Sequence, residues 1–274
     1  MAHQESFDLS WMDSSLLTIV SVVLYIVISA YQYWLLKKHD QTHIRQVALI
    51  ALLPLVAHGY LLYTLIDTGA GQNLSMLNIF SMMFWLIGIA LVISSLIKKI
   101  EILMMAIFPV SALVVLASGF SENRYIVDAS SAGYLAHTLI AIAAISVTSL
   151  AAIQSVFVTI LDKKLKQQIT QPNLALPPLL AMERFLYFLT GMGFVLLTAT
   201  IVTAILFMPS TGGEIPLHKP ILATLSWLVF GTFLFGHYRW GWRGKKAAHW
   251  TITGFILLFF AYFGTRTVLE YLLG

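Results

Sequence analysis

Cysteine is absent from the 274 residues, which excludes disulfides, thiol redox chemistry, thiolate metal sites and iron–sulfur clusters. Charge is scarce as well: Asp, Glu, Lys and Arg make up 10% of the chain and hydrophobic residues 59%, where ordinary globular domains carry about 25% charge. The sequence has no Walker A lysine loop, no GxSxG elbow and no HExxH pair, so the common soluble catalytic motifs are missing and no enzymatic role is expected. It has no internal repeat, which weighs against a transporter built from inverted repeats. Nor do its apolar runs hold Asp or Glu at mid-length, and a polar path through a bilayer would need such groups.

Long apolar runs occupy most of the chain, whose mean hydropathy is +0.85. A helix needs roughly 20 mostly apolar residues to cross the hydrocarbon core. The runs predict spans at 16–36, 47–66, 76–97, 102–117, 133–161, 185–207, 220–235 and 250–269. The expected fold is therefore all-α: a polytopic membrane bundle of about eight helices, forming a single integral membrane domain over residues 1–274. The fourth span is short and contains Pro109, so a tilt, a kink or a partly re-entrant path is expected there. The fifth is long and is expected to extend beyond the membrane at Asp162–Lys166.

Charge placement gives an orientation. Thirteen of the sixteen Lys and Arg residues fall in four clusters: Lys37, Lys38 and Arg45; Lys98 and Lys99; Lys163, Lys164, Lys166 and Arg184; Arg239, Arg243, Lys245 and Lys246. The alternate connections hold only Arg124, Lys219 and Arg266, together with eight of the twelve acids. This alternation is the positive-inside pattern, and it predicts cytoplasmic clusters with both termini on the outer, periplasmic side. The net charge of +4 then reflects juxtamembrane residues near anionic lipid rather than nucleic-acid binding. The N-terminal stretch has Glu5, Asp8 and Asp13 but no Lys or Arg, so it is read as a retained first helix, not a secretory signal. Trp34, Trp240, Trp242 and Trp250 at inner helix ends, and Trp11 at an outer one, read as interfacial anchors. Short loops without extensions favour a bacterial inner membrane, crossed many times.

Of eight histidines, His3, His39 and His43 fall in the tail or first loop and are expected to be solvated. His237 and His249 flank a basic loop, where they add interfacial polarity. His58, His137 and His218 are more informative, because polar groups at membrane depth are costly unless paired or facing a cavity. His58 lies halfway along the second span. His137 sits one turn into the fifth, and His218 directly precedes the seventh. Odd-numbered spans run from outside to inside, so His137 and His218 are expected at similar depth. Two imidazoles so placed suit the axial positions of haem or part of a divalent metal site. The alternative is that each only hydrogen-bonds a neighbouring helix.

The stretch SWLVFGTFLFGHYRWGWRGKKAAHWTITGFILLFFAYFG, Ser226–Gly264, resembles the end of the cytochrome c assembly family, the CcsA- and CcmC-like haem-handling membrane proteins. A Trp-Leu-Val helix, a Gly-Trp-Arg-Gly basic turn and a last helix with Tyr-Phe-Gly follow in the same order. AHTLIAIAAISVTSLAAIQSVFVTI (Ala136–Ile160) resembles the family helix that opens with an outer haem-ligand histidine. MERFLYFLTGMGFVLLTATIVTA (Met182–Ala204) is similar to the helix that follows it, and NLSMLNIFSMMFWL (Asn73–Leu86) to an earlier segment. The resemblance covers the chain from about residue 45 onward. Two features depart from it. The segment MPSTGGEIPL (Met208–Leu217) stands where the family has a tryptophan-rich WWD loop, and the last helix lacks a second outer histidine. Both place the chain nearest the short YpjD- and HemX-like branch.

The resemblance implies a non-covalent, b-type haem with bis-histidine ligation near the outer face. His137 matches the outer ligand position, His218 stands near the second arm of the site, and His58 and His237 approximate other membrane histidines of the family. Arg266, Arg124 and Lys219 are the outer cations available to the haem propionates, and Trp85 and Trp227 either line a porphyrin pocket or pack in the membrane core. No metal beyond haem iron is expected. The partners implied are membrane lipid and haem-delivery or cytochrome-assembly proteins, with no nucleic acid. A haem-handling factor is the first reading, a haem-free regulatory or scaffold protein of the same fold the second, and a small-molecule transporter the third.

Overall fold

A computed structural model describes residues 9–38, 44–69, 71–97, 101–121, 125–127, 132–166, 178–207 and 217–271, with side chains at 9–13, 44–45, 97, 101–102 and 265–271 left aside. The chain divides into two compact units, Met1–Leu96 with Met104–Asp128 and Ile97–Leu103 with Ala129–Gly274.

The first unit contains α1 (Leu9–Lys37), α2 (Ile44–Ile50), α3 (Leu52–Ile66), β1 (Gln72–Asn73), α4 (Met76–Ile97), most of α5 (Glu101–Gly119) and β2 (Ile126–Val127). A single turn residue, Ala51, separates α2 from α3. The cause is Pro54, which has no N–H to give the Ile50 carbonyl. Pro109 deprives the Met105 carbonyl of its helical donor in the same way, yet α5 runs through it without a break. Ser29 Oγ, reaching across from α1, donates to Met105 O at 3.0 Å. The freed carbonyl is thereby satisfied inside the protein, as an apolar surrounding requires. Close approaches depend on glycine: a Cβ on Gly88 would fall 2.6 Å from Leu55 Cδ2, and one on Gly119 would collide with Thr18 Oγ1. The strands β1 and β2 form a two-residue antiparallel pair, with Gln72 opposite Val127 and Asn73 opposite Ile126.

The second unit is built on α6 (Ala132–Lys166), α7 (Leu179–Phe207), α8 (His218–Trp240) and α9 (Gly244–Tyr271). Helices α7 and α9 each pack against both α6 and α8, so α6 and α8 occupy opposite corners of a four-helix bundle. Successive helices are antiparallel. Gly133 of α6 meets Phe207, near the far end of the chain's path along α7, whereas Thr148 meets Gly193. Further along, Gln154 Nε2 donates to Met182 O at 2.9 Å. Trp227 of α8 meets Thr198, and Ser226 of α8 donates to Gly254 O of α9 at 2.7 Å. Helix α8 ends at Gly241, whose φ of +64° is a left-handed cap that glycine adopts without a Cβ penalty.

Among the described residues, seven helical segments are long and apolar enough to cross a membrane. The stretch Leu103–Gly119, which holds the expected fourth span, is apolar but shorter. The protein is an all-α polytopic membrane protein. Most of the described basic residues of its second unit lie at one end: Lys163, Lys164 and Lys166 close α6, His237 and Arg239 close α8, and Lys245 and Lys246 open α9.

Candidate functional site

The end of the second unit opposite its basic residues joins the start of α6, the end of α7 and the start of α8. A Cβ on Gly133 would lie 2.6 Å from Phe207 Cδ1, so glycine lets the first turn of α6 close onto the last turn of α7. That contact sets half-buried His137 beside Thr203, with Nδ1 to Oγ1 at 3.1 Å. Thr203 gives its only hydroxyl proton back to its own helix, at Ala199 O (2.8 Å) and Thr200 O (3.0 Å). A hydroxyl whose proton is committed can only accept from the imidazole. The contact suits an imidazole protonated on Nδ1, with Nε2 left to carry the lone pair. Metal-binding histidines commonly have this arrangement, with the second nitrogen donating to an oxygen.

His218 is the first residue of α8 and is exposed. The Trp227–Thr198 contact sets the register of α8 against α7, which puts Leu222 level with Thr203. His218 therefore begins about 6 Å farther out than the level of His137. The two histidines stand at one end of one bundle, on diagonal helices. Lys219 follows directly, and the path of α9 carries Arg266 to the same end, although its side chain is outside the described residues. Arg124 and the segment 208–216 also lie outside them, as do His3, His39 and His43.

The other two candidates are placed elsewhere. His58 of α3 is fully buried in the first unit and uses both ring nitrogens: Nδ1 meets Tyr25 Oη of α1 at 2.9 Å, and Nε2 meets Ser81 Oγ of α4 at 2.8 Å. Ser118 of α5 donates to the same Ser81 hydroxyl at 3.1 Å, so one imidazole ties together four helices. His237 lies at the basic end, about 28 Å along α8 from His218. Its Nδ1 donates to Trp242 O at 2.9 Å, and its ring stacks on Tyr187 with centroids 3.6 Å apart. Both tryptophans considered for a porphyrin pocket spend their N–H on helix contacts, Trp85 on Leu55 O at 2.7 Å and Trp227 on Thr198 Oγ1 at 2.8 Å.

The basic end has its own polar centre. Glu183, nearly buried in α7, takes two donors from Arg243, one of them Nε at 3.1 Å. The carboxylate raises the Arg243 guanidinium further above its ordinary range, first by hydrogen bonding and then by charge. Trp242 stacks between Trp240 and Trp250, with Lys246 Nζ 3.9 Å from its ring centre. Among the described residues no group of three His, Cys, Asp or Glu could hold a bare metal ion. A metal that brings its own macrocycle asks the protein only for axial donors, and an imidazole with one nitrogen hydrogen-bonded to Thr203 fits that demand.

Sequence reasoning did not single out Tyr25, Ser81, Ser118, Thr203 or Glu183. The signal for Thr203 was present: TATIVTA near the end of one span must face the start of an antiparallel neighbour, where His137 sits. Glu183 stands next to Arg184, just before a predicted span, and its burial comes from the packing of α7.

Fold and site together define a multi-pass helical membrane protein with an imidazole hydrogen-bonded to a neighbouring helix near the end of a four-helix bundle. The family model for the cytochrome c assembly protein matches residues 46–273, and the chain belongs to that family. It is 30% identical over 228 residues to the inner membrane protein YpjD of Escherichia coli K12, covering 82% of this chain and 87% of that protein. An uncharacterized 28.8 kDa protein of Azospirillum brasilense is 31% identical over 142 residues, 50% of this chain and 52% of its own. The cytochrome c biogenesis protein CcsA of Heterosigma akashiwo is 30% identical over 90 residues, 32% of this chain and 28% of that protein. No solved structure matches the chain.

Proposed function

We propose that this protein handles haem in the inner membrane, with His137 and His218 as axial ligands at the outer end of the second unit. Family membership and the similarity to proteins named for the inner membrane and for cytochrome c biogenesis support a role of this kind. The observation that supports the ligand assignment is the Thr203 contact at His137 Nδ1, which suits a lone pair on Nε2. A bound b-type haem would supply a redox-active iron open to imidazole donors. The chain's part would be to capture and orient: His137 and His218 would hold the iron, and Lys219 and Arg266 would be the cations for the propionates. His58 and His237 stay with the protein partners described above. No bond in the haem is made or broken, and a haem-delivery or cytochrome-assembly protein is the partner class.

The test is the absorbance spectrum of the protein purified in detergent from haem-replete cells. The expected result is a Soret band with sharp reduced α and β bands, lost in His137→Ala and in His218→Ala. Colourless protein would overturn the proposal in favour of a haem-free regulatory or scaffold role. One observation already favours that second reading: Met208–Leu217 has no tryptophan.

A further inference from the structure

We infer that Thr203 is a positioning residue that fixes the tautomer and ring plane of His137, so that Nε2 rather than Nδ1 faces the ligand. The inference rests on His137 as an axial ligand and adds the residue that acts through it. An imidazole with no acceptor at Nδ1 can place its proton on Nε2, where it blocks the coordinating lone pair. Thr203 removes that freedom because its hydroxyl is already spent on Ala199 O and Thr200 O and has only lone pairs left for the ring.

The same helix has a second threonine of this kind, with a different client. Thr198 donates to Phe194 O at 2.8 Å and accepts Trp227 Nε1 at 2.8 Å. Helix α7 thus presents acceptors to both neighbours, an indole on α8 and the imidazole on α6. Only the second of these clients has a lone pair to offer. The difference makes Thr198 the internal control, since its loss should loosen α7 against α8 without touching the His137 ring.

Two measurements test the assignment. Nitrogen NMR of haem-free, histidine-labelled protein, with the His137 signals identified by their loss in His137→Gln, should find Nδ1 protonated and Nε2 bare. A protonated Nε2 would overturn the inference whether or not haem ever binds. Haem titration of the full chain supplies the second. Thr203→Val should weaken binding by about 10–100-fold, the usual cost of losing an outer-shell partner, and shift the reduced α band. Thr203→Ser should restore both, and Thr198→Val should leave the His137 nitrogen signals as they are. An unchanged Thr203→Val, or a His137 proton moved by Thr198→Val, would overturn the inference. Unchanged haem binding by His137→Gln would instead defeat the ligand assignment while leaving the NMR result to stand or fall alone.

Discussion

His58 and His137 differ in how many ring nitrogens the protein itself occupies. Both nitrogens of His58 are engaged by hydroxyls from other helices, and the ring sits edge-on to Tyr25 at 5.7 Å. Removing the imidazole strands Tyr25 Oη and leaves Ser81 Oγ with only Ser118, in a fully buried site. Hydrogen bonds inside membranes average about 0.6 kcal/mol and reach about 1.7, but an orphaned buried group costs about 1–3 kcal/mol, so stranding outweighs simple loss. His58→Leu is therefore expected to destabilise the protein by about 2–4 kcal/mol, read as a lower thermal midpoint in detergent. Tyr25→Phe should cost less, and the pair should be non-additive because they share one contact. Haem content per folded molecule should stay at the wild-type level in both. Stoichiometric loss of haem from a stably folded His58→Leu would return this residue to the ligand set.

At the level of elements, α6 and α7 come together through Thr148 and Gly193. A Cβ on Gly193 would stand 2.6 Å from Thr148 Cγ2, while Thr148 Oγ1 is already donating to Ala144 O at 2.8 Å. Alanine is the better helix former by about 1 kcal/mol, yet overpacking a rigid β-branched side chain costs about 1–3 kcal/mol, so the steric effect decides the sign. Gly193→Ala should lower the thermal midpoint. Thr148→Ser in that background, which deletes Cγ2 and keeps the hydroxyl, should recover most of the loss, and failure of that rescue would show that the approach is not set here. Helices of this kind were legible as apolar runs, because membrane burial makes nearly every side chain apolar. The bridge from Ser29 to the carbonyl freed by Pro109 was not: the proline marks the orphan, but its donor lies 76 residues away in sequence. Neither was the β1–β2 pair, since two residues are too few for an alternating pattern. Of the candidate site, the histidines could be found by depth alone. How many nitrogens each has left depends on hydroxyls from other helices.

For the molecule as a whole, the open quantity is whether α5 crosses the membrane. Its 19 residues span about 28 Å, close to the ~30 Å of a hydrocarbon core. Charge decides what length leaves balanced. If α5 crosses, the Lys98–Lys99 cluster and the Lys163–Lys166 cluster share one side, as the positive-inside rule demands. If it does not, α6 begins on the side of Lys98 and delivers Lys163, Lys164 and Lys166 to the opposite one, splitting the clusters. The crossing is therefore expected, with His137 and His218 at the outer face. The absence of cysteine from the chain makes this directly measurable, because a single introduced thiol has no background. In intact cells, Ser121→Cys, just after α5, should react with a membrane-impermeant maleimide, and Lys166→Cys should react only after the membrane is opened. A reporter fused after Gly274 should report the outer side. Protection of Ser121→Cys together with outside labelling of Lys166→Cys would leave α5 uncrossed and move both histidines to the cytoplasmic face, where the proposed outward handling of haem has no site.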